Sequence, residues 1–252
     1  MAGDTVMSYS QKPKMVLFDV GGTLYKGDSF SAANGLDALR KLATNPDITD
    51  TAAMETLWDS YAAEIGSGHK STSGTTLDFP LSGALKFITM NTGLRFDISM
   101  YEQEEIFDRF NSSRRLICGI TELIISLKSL GIRTAVISNN AMSGESLTLA
   151  VKHWIPDSDM EFCFTSSDIL LSKPDRNIFD TALAYAGLNA SDCWYCGDSF
   201  TPDVYGAKSA GLTPVLIDVN SSVPVQFRTE DSVGEYMVVN NWAELAKHIE
   251  NI

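Results

Sequence analysis

One short stretch, Met15–Leu24, constrains the fold more than any other part of the chain. It begins with the apolar run Met-Val-Leu-Phe and continues with Asp19, a valine, two glycines and a threonine. An apolar run without alternation is typical of a strand buried on both faces of a parallel sheet. Asp19 then follows the carboxyl end of that strand, which is where open α/β sheets bind ligands. A tight turn with a stray carboxylate would also explain this stretch, so the other polar clusters must decide.

From residue 115 onwards, strand-like and helix-like patterns alternate along the chain. Apolar residues recur at helical spacing between the strands, and Gly131 and Gly187 end two of the helices. Thr201 is a suitable N-cap, with Pro202 at the first helical position. This alternation predicts an α/β fold with a mostly parallel sheet and helices on both faces. The predicted strands are Arg133–Ile137, Phe162–Phe164, Cys193–Cys196, Pro214–Val219 and Tyr236–Val239.

Residues 26–114 follow a different pattern. Their apolar residues recur at helical spacing without β alternation, which predicts four or five helices. We interpret this segment as a helical insert in an α/β core formed by residues 15–25 and 115–252. The chain is expected to enter the insert near Tyr25–Asp28 and to leave it near Asn111–Arg115.

Four polar clusters follow four of the predicted strands: Asp19, Ser138-Asn139, Lys173, and Asp198 with Asp203. Parallel strands would carry all four to the same edge of the sheet. Carboxylates gathered there cannot all stay ionised without a cation, and oxygen-only ligands favour a hard ion such as Mg²⁺. Lys173 and the Ser138 hydroxyl would complete a pocket for a small dianion. The chain has neither a Walker phosphate-binding loop nor a dinucleotide-binding glycine motif.

The ordered clusters resemble the four motifs of the haloacid dehalogenase-like hydrolase superfamily. The resemblance covers residues 15–217 and rests on Phe18-Asp19-Val20-Gly21-Gly22-Thr23-Leu24, Ile137-Ser138-Asn139, Lys173-Pro174 and Gly197-Asp198-Ser199-x-x-x-Asp203. It implies a Rossmann-like core, with residues 26–114 resembling the α-helical cap of that superfamily. Since most of its members are Mg²⁺-dependent phosphatases, it also implies a phosphatase acting on a small phosphorylated metabolite.

The resemblance implies a role for each motif residue. Asp19 would be the nucleophile that forms an aspartyl phosphate, and Lys173 would neutralise charge on the nucleophile and the phosphate. Ser138 and the neighbouring backbone N–H would hold phosphate oxygens, and the positions expected at the phosphate are Ser138, Asn139, Lys173, Gly22 and Thr23. Such a division suits phosphoryl transfer, which depends on positioning and on charge neutralisation. For the metal, the resemblance implies Asp19, the backbone carbonyl of Gly21, Asp198 and Asp203.

Gly21 departs from the pattern of the phosphatases in this superfamily. Most of them have a second Asp at this position, which protonates the leaving alcohol and then activates water. General acid–base catalysis is typically worth ~10²–10⁴ in rate, so another group would have to supply the proton. The nearest candidates in sequence are Tyr25, Lys26 and Asp28.

Three other functions remain open because of Gly21. A protein that binds a phosphoester with little or no turnover is the first alternative. A phosphonatase is the second; such enzymes use a Schiff-base lysine from the cap, where Lys41 and Lys70 are available. A 2-haloacid dehalogenase is the third, although those enzymes lack the metal-binding pattern of Asp198 and Asp203. In each case the insert would set specificity, with Trp58, Phe79 and Phe87 as candidate lining residues.

Composition restricts the partners and the compartment. Lys and Arg number 19 and Asp and Glu 32, giving a net charge of −13, which argues against nucleic acid or an anionic membrane as a partner. No apolar run is long enough to span a bilayer, and residues 1–14 are polar, which predicts a flexible tail. The four cysteines do not suggest a secreted disulfide framework, so a cytoplasmic location is expected. Cys193 and Cys196 have CxxC spacing but lie in a predicted strand, where they would point to opposite faces as buried core residues.

Overall fold

The computed structural model describes residues 9–66 and 80–252. Its strands are β1 (Met15–Phe18), β2 (Tyr25–Gly27), β3 (Arg114–Leu116), β4 (Arg133–Ser138), β5 (Met160–Thr165), β6 (Cys193–Gly197), β7 (Thr213–Ile217), β8 (Val225–Glu230) and β9 (Gly234–Val239). Its α-helices are α1 (Ala32–Leu42), α2 (Thr51–Gly66), α3 (Leu81–Thr92), α4 (Met100–Asn111), α5 (Ile120–Ser129), α6 (Gly144–Trp154), α7 (Ser166–Ile169), α8 (Arg176–Ala186), α9 (Gly206–Ser209) and α10 (Trp242–Asn251). A π-helical turn, Phe200–Tyr205, leads directly into α9, and 3₁₀ turns occur at Pro46–Ile48 and Ala190–Asp192.

Seven strands form one sheet in the order β5-β4-β1-β6-β7-β9-β8. All pairs are parallel except β8–β9, so the predicted α/β fold with a mostly parallel sheet is confirmed. Strand β1 lies between β4 and β6, with Phe18 opposite Val136 on one side and Cys196 on the other. Asp19 is the next residue, so it lies at the carboxyl edge in the middle of the sheet.

Helices cover both faces of this sheet. On one face, Met15 and Leu17 pack with residues of α8, and on the other, Val16 and Phe18 pack with residues of α5, α6 and α10. The burial of successive β1 residues on opposite faces explains the absence of alternation in the sequence, since both faces are covered by helices. Cys193 and Cys196 lie in these two different cores, as predicted, and burial raises the pKa of both thiols.

Four α-helices, α1 to α4, are described between β2 and β3. These two short strands pair antiparallel, with Tyr25 opposite Leu116 and Gly27 opposite Arg114. The entry and the exit of the helical segment therefore lie side by side. Among the residues described, no helix combines the length and the apolar character that crossing a lipid bilayer requires.

Three local features differ from the sequence-based expectations. Tyr9, within the predicted flexible tail, is buried, and its hydroxyl donates to the Pro214 carbonyl at 2.6 Å; residues 1–8 lie outside the described residues. The helical turn expected to begin after Thr201 begins two residues earlier, at Phe200, with Ser199 as its N-cap. Strand β8 was not predicted, because an edge strand with mostly half-exposed or exposed residues has no continuous apolar run.

Candidate active site

Asp19 lies at the floor of the candidate site and is mostly buried. Its backbone N–H continues the sheet by donating to the Cys196 carbonyl at 2.9 Å. Its Oδ1 accepts hydrogen bonds from Lys173 Nζ at 2.7 Å and from the Ser138 hydroxyl at 3.2 Å. Its Oδ2 accepts one from the Thr23 hydroxyl at 3.4 Å. The carboxylate is therefore oriented by donors from three separate segments of the chain.

Lys173 is fully buried and forms three contacts through its ammonium group. Nζ donates to Asp19 Oδ1, to Asp203 Oδ1 and to the Tyr195 hydroxyl, each at 2.7 Å. The Tyr195 hydroxyl in turn donates to the Ile137 carbonyl at 2.7 Å. Burial alone would lower the pKa of Lys173, but the two carboxylates outweigh burial and hold it above its ordinary value. Lys173 therefore remains a cation between Asp19 and Asp203.

The backbone at Lys173 is fixed by Asn139. Asn139 Oδ1 accepts from the Lys173 N–H at 2.8 Å, and Asn139 Nδ2 donates to the Lys173 carbonyl at 3.0 Å. The side chain of Asn139 is thus engaged with the chain segment that carries the lysine. A contact between phosphate and the backbone N–H of Asn139 stays a prediction.

Three carboxylates meet at this edge of the sheet. Oxygen atoms of Asp19, Asp198 and Asp203 all lie within 4.8 Å of one another. Partial burial raises the pKa of Asp198, and the negative charge of Asp19 adds to that shift. Burial also raises the pKa of Asp203, although Lys173 opposes this effect. Both oxygens of Asp203 have partners, because Oδ1 accepts from Lys173 and Oδ2 accepts from the Ser199 N–H at 2.9 Å.

Two adjacent glycines have different surroundings. Gly22 has a φ of +75° and lies against Asp198, so this position requires the left-handed conformation that glycine adopts easily. Gly21 has no such φ, and a Cβ atom added there would meet nothing within 4 Å. The position that departs from the phosphatase pattern therefore has room for a side chain.

A pocket of about 470 Å³ opens above these residues. Its lining contains Asp19, Gly21, Ser138, Asn139, Lys173, Asp198 and Asp203. Tyr25, Asp108 and Arg114 also line it, and they come from the two ends of the helical segment. Neither Asp108 nor Arg114 stands out in the sequence, because charged residues on an amphipathic helix or a short strand are usually surface residues.

Other expected residues lie elsewhere. Trp58 stacks on Phe107 with ring centroids 4.9 Å apart, and Phe87 packs against Tyr61 at 5.4 Å, so both belong to the packing among the inserted helices. Lys41 is exposed and pairs with Asp37 on the same helix at 2.6 Å. Phe79 and Lys70 lie outside the described residues.

A carboxylate, a buried lysine and two further carboxylates gather at the carboxyl edge of the parallel sheet, and this arrangement agrees with a family match. A model of haloacid dehalogenase-like hydrolases matches residues 13–211. The chain belongs to this family. The resemblance found in the sequence is therefore confirmed.

Two comparisons with solved structures support the fold of this haloacid dehalogenase-like hydrolase. The 2-haloacid dehalogenase from Pseudomonas syringae pv. Tomato DC3000 is 20% identical, with a TM-score of 0.58 over 95% of this chain and 99% of that one. The haloacid dehalogenase-like hydrolase YfnB from Bacillus subtilis, solved bound to magnesium, is 20% identical, with a TM-score of 0.52 over 96% of this chain and 100% of that one. At this level of identity the comparisons establish the fold alone.

Among curated relatives, this haloacid dehalogenase-like hydrolase is similar to the glyceraldehyde 3-phosphate phosphatase of Methanothermobacter thermautotrophicus. The two are 26% identical over 128 residues, which is 50% of this chain and 54% of the relative. The chain spans about half the length of the curated relatives it matches. One curated relative of the chain is therefore named as a phosphatase.

Proposed function

We propose that the protein is a Mg²⁺-dependent phosphatase that acts on a small phosphorylated metabolite. The observation that carries this proposal is the contact between Asp19 Oδ1 and Lys173 Nζ at 2.7 Å, beside two further carboxylates. In this arrangement a buried cation fixes a carboxylate at the carboxyl edge of the sheet. Phosphoryl transfer depends mainly on such positioning and on neutralisation of negative charge.

Asp19 is the proposed nucleophile. Its carboxylate oxygen attacks phosphorus, the bond from phosphorus to the ester oxygen breaks, and an aspartyl phosphate forms. Water then attacks the same phosphorus, which releases inorganic phosphate and restores Asp19. Lys173 reduces the repulsion between Asp19 and the phosphate, and the Ser138 hydroxyl is placed to donate to a phosphate oxygen once it leaves Asp19. Thr23 contributes by orienting the nucleophile from the opposite side.

The donor atoms at the site fit Mg²⁺. They are oxygens without histidine or cysteine, and the three carboxylates lie close enough to share one hard cation. Asp19, Asp198 and the Gly21 carbonyl would hold the ion, while Asp203 positions Lys173 and the loop at Ser199. When bound, Mg²⁺ neutralises charge that builds up on the transferring phosphoryl group.

Specific features favour a phosphatase over the other candidate functions. A dehalogenase has no use for Asp198, whose carboxylate faces Asp19 across the site. A phosphonatase needs a lysine directed from the insert to the pocket, and the exposed Lys41 is paired with Asp37 instead. A pure binding protein does not need a carboxylate placed where it repels the phosphate that it binds.

We further propose that residues 26–114 act as a cap over the core of residues 15–25 and 115–252. The paired strands β2 and β3 connect the two parts, and Tyr25 and Arg114 from these strands line the pocket. A cap joined at two adjacent strands can close over a substrate and exclude water. It also places residues of the insert beside the leaving group.

A panel of substrates tests the proposed function. Purified protein is incubated with phosphate esters, a 2-haloacid and phosphonoacetaldehyde, each with Mg²⁺ or with excess chelator. We expect phosphate release from one or more esters that depends on Mg²⁺ and is lost in Asp19→Asn. Chloride release that is unaffected by chelator would instead identify a dehalogenase. Tight binding of an ester without any phosphate release would identify a binding protein.

A further inference from the structure

Helix α4 buries an unusual number of carboxylates. Glu104, Glu105 and Asp108 are all buried, and each has one carboxylate oxygen without a hydrogen-bond partner among the described residues. Buried carboxylates are rare unless they are paired or have a function. The three residues therefore need separate explanations.

Two of these carboxylates have structural roles. Glu104 accepts hydrogen bonds from the hydroxyls of Ser143 and Ser146 at the start of α6, where a negative charge is favourable. Glu105 pairs with Arg109 one turn later on its own helix, at 3.5 Å. Neither residue lines the pocket that contains Asp19.

Asp108 is the member of this group that lies at the candidate active site. It lines the same pocket as Asp19, Gly21 and Lys173. Its Oδ1 pairs with Arg114 Nη2 at 2.5 Å, while its Oδ2 is buried without a hydrogen-bond partner among the described residues. One oxygen is thus paired, and the other is a buried acceptor whose hydrogen-bonding capacity is unused.

The surroundings of Asp108 favour its neutral form at mildly acidic pH. Burial raises the pKa of Asp108 to about 6, although Arg114 opposes this shift and Glu105 adds to it. Tyr25 from β2 packs beside the Arg114 guanidinium, at 5.3 Å from the ring centre. The other charged groups around the pocket are Asp19, Lys173, Asp198 and Asp203. A general acid is most effective when its pKa lies near the working pH.

The residues nearest to Gly21 in sequence are less suitable proton donors. Burial raises the pKa of Tyr25 far above neutrality, so its hydroxyl releases a proton reluctantly. Lys26 and Asp28 are exposed, and Asp28 lies 3.9 Å from Arg115. Neither of these two residues lines the pocket of Asp19.

We propose that Asp108 is the general acid and base of this enzyme, acting in place of the side chain that Gly21 lacks. The inference rests on the proposed phosphatase function. In the first step, protonated Asp108 gives its proton to the ester oxygen as the bond to phosphorus breaks and the bond to Asp19 forms. In the second step, ionised Asp108 takes a proton from the water that attacks the aspartyl phosphate. Inorganic phosphate leaves, and both carboxyl groups return to their starting states.

The test compares two aryl esters of similar size, p-nitrophenyl phosphate and phenyl phosphate, in the full-length enzyme with Mg²⁺. Phenolate is the more basic leaving group and needs the proton more. We expect Asp108→Asn to lower kcat/KM for phenyl phosphate by ~10²–10⁴, the range for general acid catalysis, and to affect p-nitrophenyl phosphate far less. In the wild type, the rate of phenolate release in a single turnover at saturating enzyme should fall as the pH rises through about 6, since the protonated acid is lost. Asp108→Asn should lack this decline.

Two further variants separate catalysis from structure. Glu104→Gln removes a neighbouring buried carboxylate outside the pocket of Asp19 and should leave the ratio of the two esters unchanged. Gly21→Asp in the Asp108→Asn background should restore phenyl phosphate turnover, because position 21 has room for the side chain. Equal losses for both esters would overturn the role of Asp108. A wild-type single-turnover rate that stays constant between about pH 5 and 7 would overturn it as well. The wild-type profile decides even where Asp108→Asn fails to fold, and a wild type inactive on every ester of the panel would refute the phosphatase itself.

Discussion

Gly22 and Asp198 are so close that a Cβ atom on Gly22 would overlap with the Asp198 carboxylate. One residue belongs to the turn after β1 and the other follows β6, so the contact joins the ends of two adjacent strands. The metal-binding carboxylate that we propose is therefore placed partly by the absence of a side chain opposite it.

Gly22→Ala should lower activity and weaken Mg²⁺ binding. Besides the overlap with Asp198, alanine at a φ of +75° costs about 1–2 kcal/mol in the left-handed region. The Mg²⁺ dependence of phosphate release and the melting temperature measure the two effects. Gly21→Ala is the matched control and should stay close to wild type, since its Cβ meets nothing. A Gly22→Ala enzyme with normal Mg²⁺ dependence would contradict this placement of Asp198.

Asp19→Asn should abolish phosphate release, because a carboxamide cannot form the aspartyl phosphate. Loss of a covalent nucleophile typically lowers kcat by a factor on the order of 10⁴ or more. The amide can still accept from Lys173 and Ser138, so we expect a folded protein with an unchanged circular dichroism spectrum. Substantial residual turnover in a preparation free of wild-type enzyme would assign the nucleophile to another residue.

Asp198→Asn should raise the Mg²⁺ concentration needed for half-maximal activity by at least about 10–100-fold, the usual effect of disturbing a metal site. The reason is the loss of one negative ligand from the cluster with Asp19. Titration of Mg²⁺ against phosphate release measures the shift. Asp192→Asn is a suitable control, because that carboxylate pairs with Lys14 far from the cluster. The proposed ligand set fails if both variants respond alike.

Lys173→Met should destabilise the protein even without substrate. It removes the cation between Asp19 and Asp203, and breaking a buried ion pair from one side costs about 3–5 kcal/mol. Urea unfolding without Mg²⁺ measures the change in the free energy of unfolding. Lys128→Met serves as the control, since Lys128 pairs with Asp159 on the surface and should contribute little. Equal effects of the two changes would show that the ion pairs of Lys173 stabilise the protein no more than a surface ion pair does.

The central part of the fold was predictable because buried parallel strands have an obvious pattern. The runs at β1, β4 and β6 are continuously apolar, and each is followed by a polar residue at the edge of the sheet. The motif residues Asp19, Ser138 and Asp198 consequently line one pocket. Strands β2 and β3 escaped prediction because three residues are too few to show periodicity.

The sides of α4 could not be assigned from sequence. Its apolar residues Ile106, Phe107 and Phe110 recur at helical spacing, yet Phe110 is exposed and Asp108 is buried. The helix packs against the insert on one side and against α6 on the other, so two neighbours share its surface. Ion pairing with Arg114 makes the burial of Asp108 tolerable, and a partner that comes from a different element leaves no signal in a single-helix pattern.

The last helix has a consequence for protein engineering. Trp242 of α10 donates from Nε1 to the carbonyl of Thr23 at 2.7 Å, and its ring meets Phe18 edge-on at 6.4 Å. These contacts brace the turn that follows β1, although α10 lies beyond the segment matched by the family model. A shortened gene for crystallisation, or a chimera that joins this core to another C-terminal segment, must therefore retain residues 242–251 or supply an equivalent indole.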